Sequence, residues 1–160
     1  MVAGQGTLHI SGTIMVSNQA TGVGGGVFAV VQNAVLEDCL AFDNQAGSKG
    51  GGLAFEQRSG TVSLAHVVVK QNRALTGAGL ALTGGVSMDD CTIEKNNAVD
   101  SGGGAWFEGG GFAAIAINAG SFTDNTAQNG NGGGLLLQNG DARVVASTFD
   151  NNLAVLNPKP

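Results

Sequence analysis

An asparagine with alanine two residues later stands at Asn18, Asn44, Asn72, Asn96, Asn125 and Asn152, at intervals of 26, 28, 24, 29 and 27 residues. Self-similarity at such a period restricts a chain to a solenoid or an array. Ten residues before each Asn stand Leu8, Ala34, Val62, Val86, Ile115 and Ala142, and eight before it Ile10, Leu36, Leu64, Met88, Ile117 and Val144. Between these two apolar columns lie His9, Val35, Ser63, Ser87, Ala116 and Arg143. Apolar, mixed, apolar is the period-two alternation of a strand with one buried face.

A second strand is read three to five residues before the Asn. A small column, Thr13, Cys39, Val67, Cys91, Gly120 and Ser147, is followed by a larger one, Met15, Ala41, Val69, Ile93, Phe122 and Phe149. Beyond the Asn comes a turn and then a glycine cluster, as in Gly50-Gly51-Gly52 or Gly132-Gly133-Gly134. It leads into Val27-Phe28-Ala29, Leu53-Ala54-Phe55, Leu80-Ala81-Leu82, Ala105-Trp106-Phe107 and Leu135-Leu136-Leu137, a third strand. Glycines there suit corners that need positive φ or close backbone approach.

Three short strands and three corners per repeat, without helical patterning, predict an all-β fold: a right-handed parallel β-helix of about six rungs. Stacking at about 4.8 Å per rung makes a stub about 29 Å tall. Each inward column then becomes a ladder, and the asparagines can hydrogen-bond along the axis. The leucine-rich repeat is the competing solenoid, since Met88 to Asn96 fits its skeleton. Its third apolar slot falls to Gly120 and Ser147, and its convex half is replaced by a Gly-rich strand.

The sequence is read as one domain over residues 1–160, a segment of something longer, because neither end offers a cap and solenoids need them. Twenty-eight glycines would indicate low complexity were they not periodic. Seven basic residues scattered over corners, with net charge −5, leave no basic face for nucleic acid. No apolar run is long enough to span a bilayer, and Met1 to Gly6 is no signal peptide. Cys39 and Cys91, two rungs apart in one inward column, are read as buried free thiols beyond disulfide reach.

Four sets of residues are candidates for sites. Phe28, Ala54, Ala81, Trp106 and Leu136 hold the outward position of the third strand, and a contiguous apolar stripe is expected to be either a binding surface or covered, by the corner Glu108 to Ala114 or by a missing flanking segment. Asp38, His66 and Asp90 share a corner on successive rungs, an imidazole between two carboxylates that can hold a metal or sit as solvated turn residues. Glu56 and Glu108 end third strands two rungs apart, about 9.6 Å, near the outer limit for an inverting glycosidase pair. Arg58, Arg73 and Lys70 form no evident set for a lyase. The six asparagines are the structural ladder. No cofactor is expected.

The alternation of a Gly-rich motif with an Asn motif resembles the polymorphic outer membrane protein repeat of chlamydial-type autotransporter passengers, which share a pectin-lyase-like β-helix. The Phe-x-x-Asn half is strict in Phe122 to Asn125 and Phe149 to Asn152, relaxed at Met15, Val69 and Ile93, and broken at Ala41. The Gly-Gly-Ala-aliphatic half appears as Gly50 to Leu53 and Gly132 to Leu135, with Gly in place of Ala, and as Gly77-Ala78-Gly79-Leu80. The resemblance covers nearly the whole chain. It implies a non-enzymatic passenger segment, extracellular or on the outer membrane surface, acting in adhesion or as a spacer. Its implied partners are a protein or glycan of a host or neighbouring cell and flanking rungs of the same chain. The alternative is a fragment of a pectin-lyase-like carbohydrate-active enzyme, with Glu56 and Glu108 at work or its catalytic groups elsewhere.

Overall fold

A computed structural model describes residues 2–3, 6–57, 59–109 and 114–156. The chain is an all-β parallel solenoid in which every strand pairs with its equivalents one turn away. Sheet A takes the glycine-led strands, Val27–Val30, Leu53–Glu56, Leu80–Thr83, Ala105–Glu108 and Leu135–Gln138, with Val2–Ala3 at its edge. Sheet B runs from Thr7–Ser11 through Asn33–Glu37, Thr61–Ala65, Gly85–Asp89 and Ala114–Asn118 to Asp141–Val145. Sheet C holds Ile14–Val16, Leu40–Phe42, Val68–Lys70, Thr92–Glu94, Ser121–Thr123 and Thr148–Asp150.

A fourth, shorter sheet joins the three strands per rung expected from the sequence. Sheet D consists of the two-residue strands Gln19–Ala20, Gln45–Ala46, Arg73–Ala74, Asn97–Ala98, Thr126–Ala127 and Leu153–Ala154. These directly follow the asparagines and account for the recurring alanine. In sheet D the inward side chain is Ala46, Ala74, Ala98 and Ala127, each at most 4% exposed, and little beyond a methyl fits.

Left-handed backbone at fixed places turns the chain. Between sheets B and C the corner residue is Gly12, Asp38, His66, Asp90, Ala119 or Ala146, with φ between 47° and 53°. Between C and D it is Ser17, Asp43, Gln71, Lys95, Asp124 or Asn151, φ 52° to 57°. Before sheet A it is Gly24, Gly50, Gly77, Gly102 or Gly132, φ 57° to 68°. Glycine, Asp, Asn and His visit this region most readily, which explains the glycine, acid and imidazole corners, while Gln71, Lys95, Ala119 and Ala146 hold it at a cost.

The interior is filled by the predicted columns. Val62, Leu64, Val69, Leu82, Ile93, Ile115, Phe107 and Phe122 are at most 1% exposed. Leu64 pairs with Leu36 and Met88, and Val69 with Ala41 and Ile93, so like packs on like from rung to rung. Phe122 and Phe149 stack with centroids 4.7 Å apart and planes 3° from parallel. Cys39 and Cys91 are free and buried. The Cys91 thiol points to the Asp89 carbonyl at 3.3 Å and Cys39 to that of Glu37 at 3.2 Å. The hydroxyls of Thr13 and Ser147 make the same bond two residues back, at 2.9 Å in each case.

Candidate functional site

The asparagine column is a continuous hydrogen-bonded ladder. The Asn44 amide N–H and Nδ2 both donate to Asn72 Oδ1, at 2.9 and 3.1 Å, and Asn72 repeats this to Asn96 Oδ1 at 3.0 Å each. Asn18 joins at the upper end through Asn44, and Asn152 at the lower end through Asn125. From Asn44 to Asn152 the second proton of Nδ2 goes to the carbonyl of the middle sheet C residue one rung up, as from Asn72 to Ala41 and from Asn125 to Ile93. Asn44, Asn72, Asn96 and Asn125 are at most 1% exposed, so no solvent competes for these bonds. Gly52, Gly79 and Gly104 stand against this ladder, and a Cβ on Gly104 would lie 2.9 Å from Asn125 Cγ and 2.4 Å from the Gly134 carbonyl.

The stripe Phe28, Ala54, Ala81, Trp106 and Leu136 does face out of sheet A, yet its centre is not exposed. Ala54, Ala81 and Trp106 are 1%, 4% and 7% accessible and form a second small core with Val23, Phe28 and Leu136. The cover seen among the described residues comes from another part of the chain. The turns leaving sheet D fold back over the strands, placing Gly50 against Ala54 Cβ and Gly77 and Gly102 against Trp106 Cβ. An added Cβ there would approach to 2.6, 3.0 and 2.9 Å, so these glycines are needed for space as well as for φ. Lys49 Nζ sits 4.1 Å from the Trp106 ring centroid, and Trp106 Nε1 donates to Gln138 Oε1 at 3.1 Å. Most of the long corner suggested as the cover, residues 110–113, lies outside the described residues.

Asp38, His66 and Asp90 do occupy equivalent corners. His66 Nδ1 lies 3.3 Å from Asp38 Oδ1, with both side chains mostly exposed. Asp90 does not complete a triad: among the described residues no group of three His, Cys, Asp or Glu is arranged to hold a metal. All three have left-handed φ, a conformation in which Asp and His are enriched, so the corner itself explains their presence.

Glu56 and Glu108 also share a column. Glu56 pairs with Val30, Leu82 with Phe55 and Thr83 with Glu108, leaving Thr83 on the rung between the two acids. Glu56 is exposed and Glu108 half-buried. Of the basic residues weighed beside them, Arg58 lies outside the described residues. Lys70 projects from sheet C and Arg73 from sheet D, so neither faces these acids. No helix among the described residues is long and apolar enough to cross a membrane.

One concavity has no counterpart in the sequence reading. It lies on the outer face of sheet D, where Gln45, Arg73 and Asn97 form one wall. Its residues come from strands too short to show periodicity, and the sole local signal is their place one residue after the asparagine. Together these features define a closed parallel β-solenoid with an internal amide ladder. No protein-family model matches the chain, and no match was found among the curated proteins or the solved structures.

Proposed function

We propose that this chain is a non-enzymatic β-helix segment, displayed on a surface or secreted, that serves in adhesion or as a rigid spacer. The observation that carries this reading is the repetition itself: four sheets stack in register and turn long outward columns of side chains to the surface of a stack held by a buried ladder. Such a scaffold offers long, stiff contact faces, and repeat proteins use extended surfaces of this kind for binding. The Gly-rich and Phe-x-x-Asn motifs support the passenger-repeat assignment and the outer-surface location it implies. Partners of that kind are proteins or glycans of an adjoining cell.

The test is to present the purified chain to cell surfaces and to immobilised glycans and proteins while assaying it on acidic polysaccharides. Saturable binding with no change in polysaccharide chain length is the expected result. A second reading, polysaccharide cleavage, is favoured by one arrangement, the Glu56 and Glu108 column with a single rung between. Chain shortening that disappears in Glu108→Gln would establish that reading and remove the first.

A further inference from the structure

A trough of about 290 Å³ runs along the outer face of sheet D. Its floor is Ala46 and Ala74, whose methyls point inward and leave the backbone bare. One wall is the column Gln45, Arg73, Asn97, brought into register by parallel pairing of Arg73 with both neighbours. The other wall is Leu75 and Val99, 46% and 49% exposed, which directly follow the strands of sheet D. The trough opens at Gly47, which has no side chain because a Cβ there would lie 2.1 Å from the Thr21 carbonyl. It closes at Gln128, whose Nε2 reaches across to Asn97 Oδ1 at 2.9 Å.

Among the described residues Arg73 is the only charged side chain lining the trough, and no carboxylate lies within ion-pair distance of it. A guanidinium flanked in its column by two primary amides offers donors that a carboxylate can bind. The opposite wall asks for apolar groups. An extended peptide meets both demands, because its side chains alternate between two sides. Two rung spacings of about 4.8 Å take three extended residues at about 3.3 Å each. No aromatic ring lines the trough to stack on a sugar face.

We infer that this trough binds an extended acidic peptide segment of the pattern aliphatic, acid, aliphatic. The central carboxylate meets Arg73 and the flanking side chains pack on Leu75 and Val99. This goes beyond the adhesive reading and stands without it. A segment that binds here with no cell attachment leaves the inference intact, and attachment that ignores the trough leaves the adhesive reading intact.

The probe is the capped peptide Ser-Val-Glu-Val-Ser, titrated into the isotope-labelled full chain at millimolar concentration and followed by amide NMR shifts. Saturable shifts at Arg73, Leu75 and Val99 are expected. The Val-Gln-Val peptide should bind about tenfold more weakly, and Arg73→Gln should weaken the Glu peptide by about the same factor, the loss of one charge-assisted pair. Arg73 is exposed, so an unchanged thermal melt of Arg73→Gln verifies that the variant folds. Leu75→Ser with Val99→Ser should remove binding of both peptides. The inference is overturned if no saturable shift occurs, if the Glu and Gln peptides bind equally, or if Arg73→Gln leaves affinity unchanged. Neutral or uronate oligosaccharides shifting the same residues while the peptide does not would also overturn it.

Discussion

The Asn72 side chain takes part in four hydrogen bonds at once, two accepted from Asn44, one donated to Asn96 and one donated to Ala41. Its truncation strips the Asn44 N–H and Nδ2 of their acceptor and the Ala41 carbonyl of this donor, where no water reaches, while Asn96 Oδ1 keeps the Asn72 N–H. With about 1–3 kcal/mol for each orphaned buried group, Asn72→Ala should cost at least about 3 kcal/mol by urea denaturation. Asn18→Ala, at the exposed end of the same ladder, should cost under about 1 kcal/mol because water replaces the amide. Equal losses at the two positions would refute the cooperative-ladder account. Cys91 offers a pH test. Burial pushes its thiol pKa up, with further help from Asp89 and Asp90, while hydrogen bonding to the Val67 and Asp89 backbone pulls it down. A raised folded pKa means the neutral thiol is favoured in the native state. Its contribution is therefore whole below the unfolded value of about 8.5 and is lost as pH rises past it toward the folded pKa. Stability measured from pH 7 to 10 should fall less steeply in Cys91→Ala than in the parent chain.

Corners and glycine-led strands are the elements that convert a repeat into a closed rung. At the corner between sheets B and C the chain accepts Gly, Asp, His or Ala with left-handed φ. If His66 is there for backbone reasons, His66→Asn should leave the melting temperature nearly unchanged, and zinc should not raise it in either protein. His66→Val should lose about 1–2 kcal/mol, the cost of left-handed backbone for a branched residue. A zinc-dependent rise seen only with histidine would restore the metal reading. In sheet A the glycines carry a steric demand: a Cβ on Gly103 would stand 2.4 Å from the carbonyls of both Gly133 and Thr126. Gly103→Ala should therefore destabilise by about 1–3 kcal/mol, as overpacked interiors do. A neutral outcome in thermal unfolding would mean that adjacent rungs can part without penalty.

On the scale of the whole molecule, stability resides in contacts between each rung and the next, so the chain behaves as a short one-dimensional stack. Removing residues 72–95 joins Gln71 to Asn96 and excises one full repeat with every column preserved. The shortened protein should fold with the same β-rich circular dichroism and a lower melting temperature. Removing half that length should abolish cooperative unfolding, because strands of one sheet would then lie over strands and corners of another. Comparable melts for the two deletions would argue against register as the organising constraint. The C-terminal rung leaves Phe149 47% and Leu153 54% exposed. Phe149→Ser should accordingly disturb stability far less than Phe122→Ser, whose ring is wholly buried.

Much of this was legible from spacing alone. In a parallel stack each residue's neighbours along the axis are its own counterparts, so a column read from the sequence is already a contact list. That is why the Asn ladder, the Leu36, Leu64 and Met88 column and the free burial of Cys39 and Cys91 could be written down without coordinates. Sheet D was not legible, since two residues carry no alternation. The cover over Trp106 was decided by where the turns after sheet D fold back, and the trough by side chains that meet only once three rungs are superposed. Periodicity determines which residues share a column. The path of the backbone between columns determines which surfaces are left open, and that depends on close approaches of glycine backbone that no count of intervals contains.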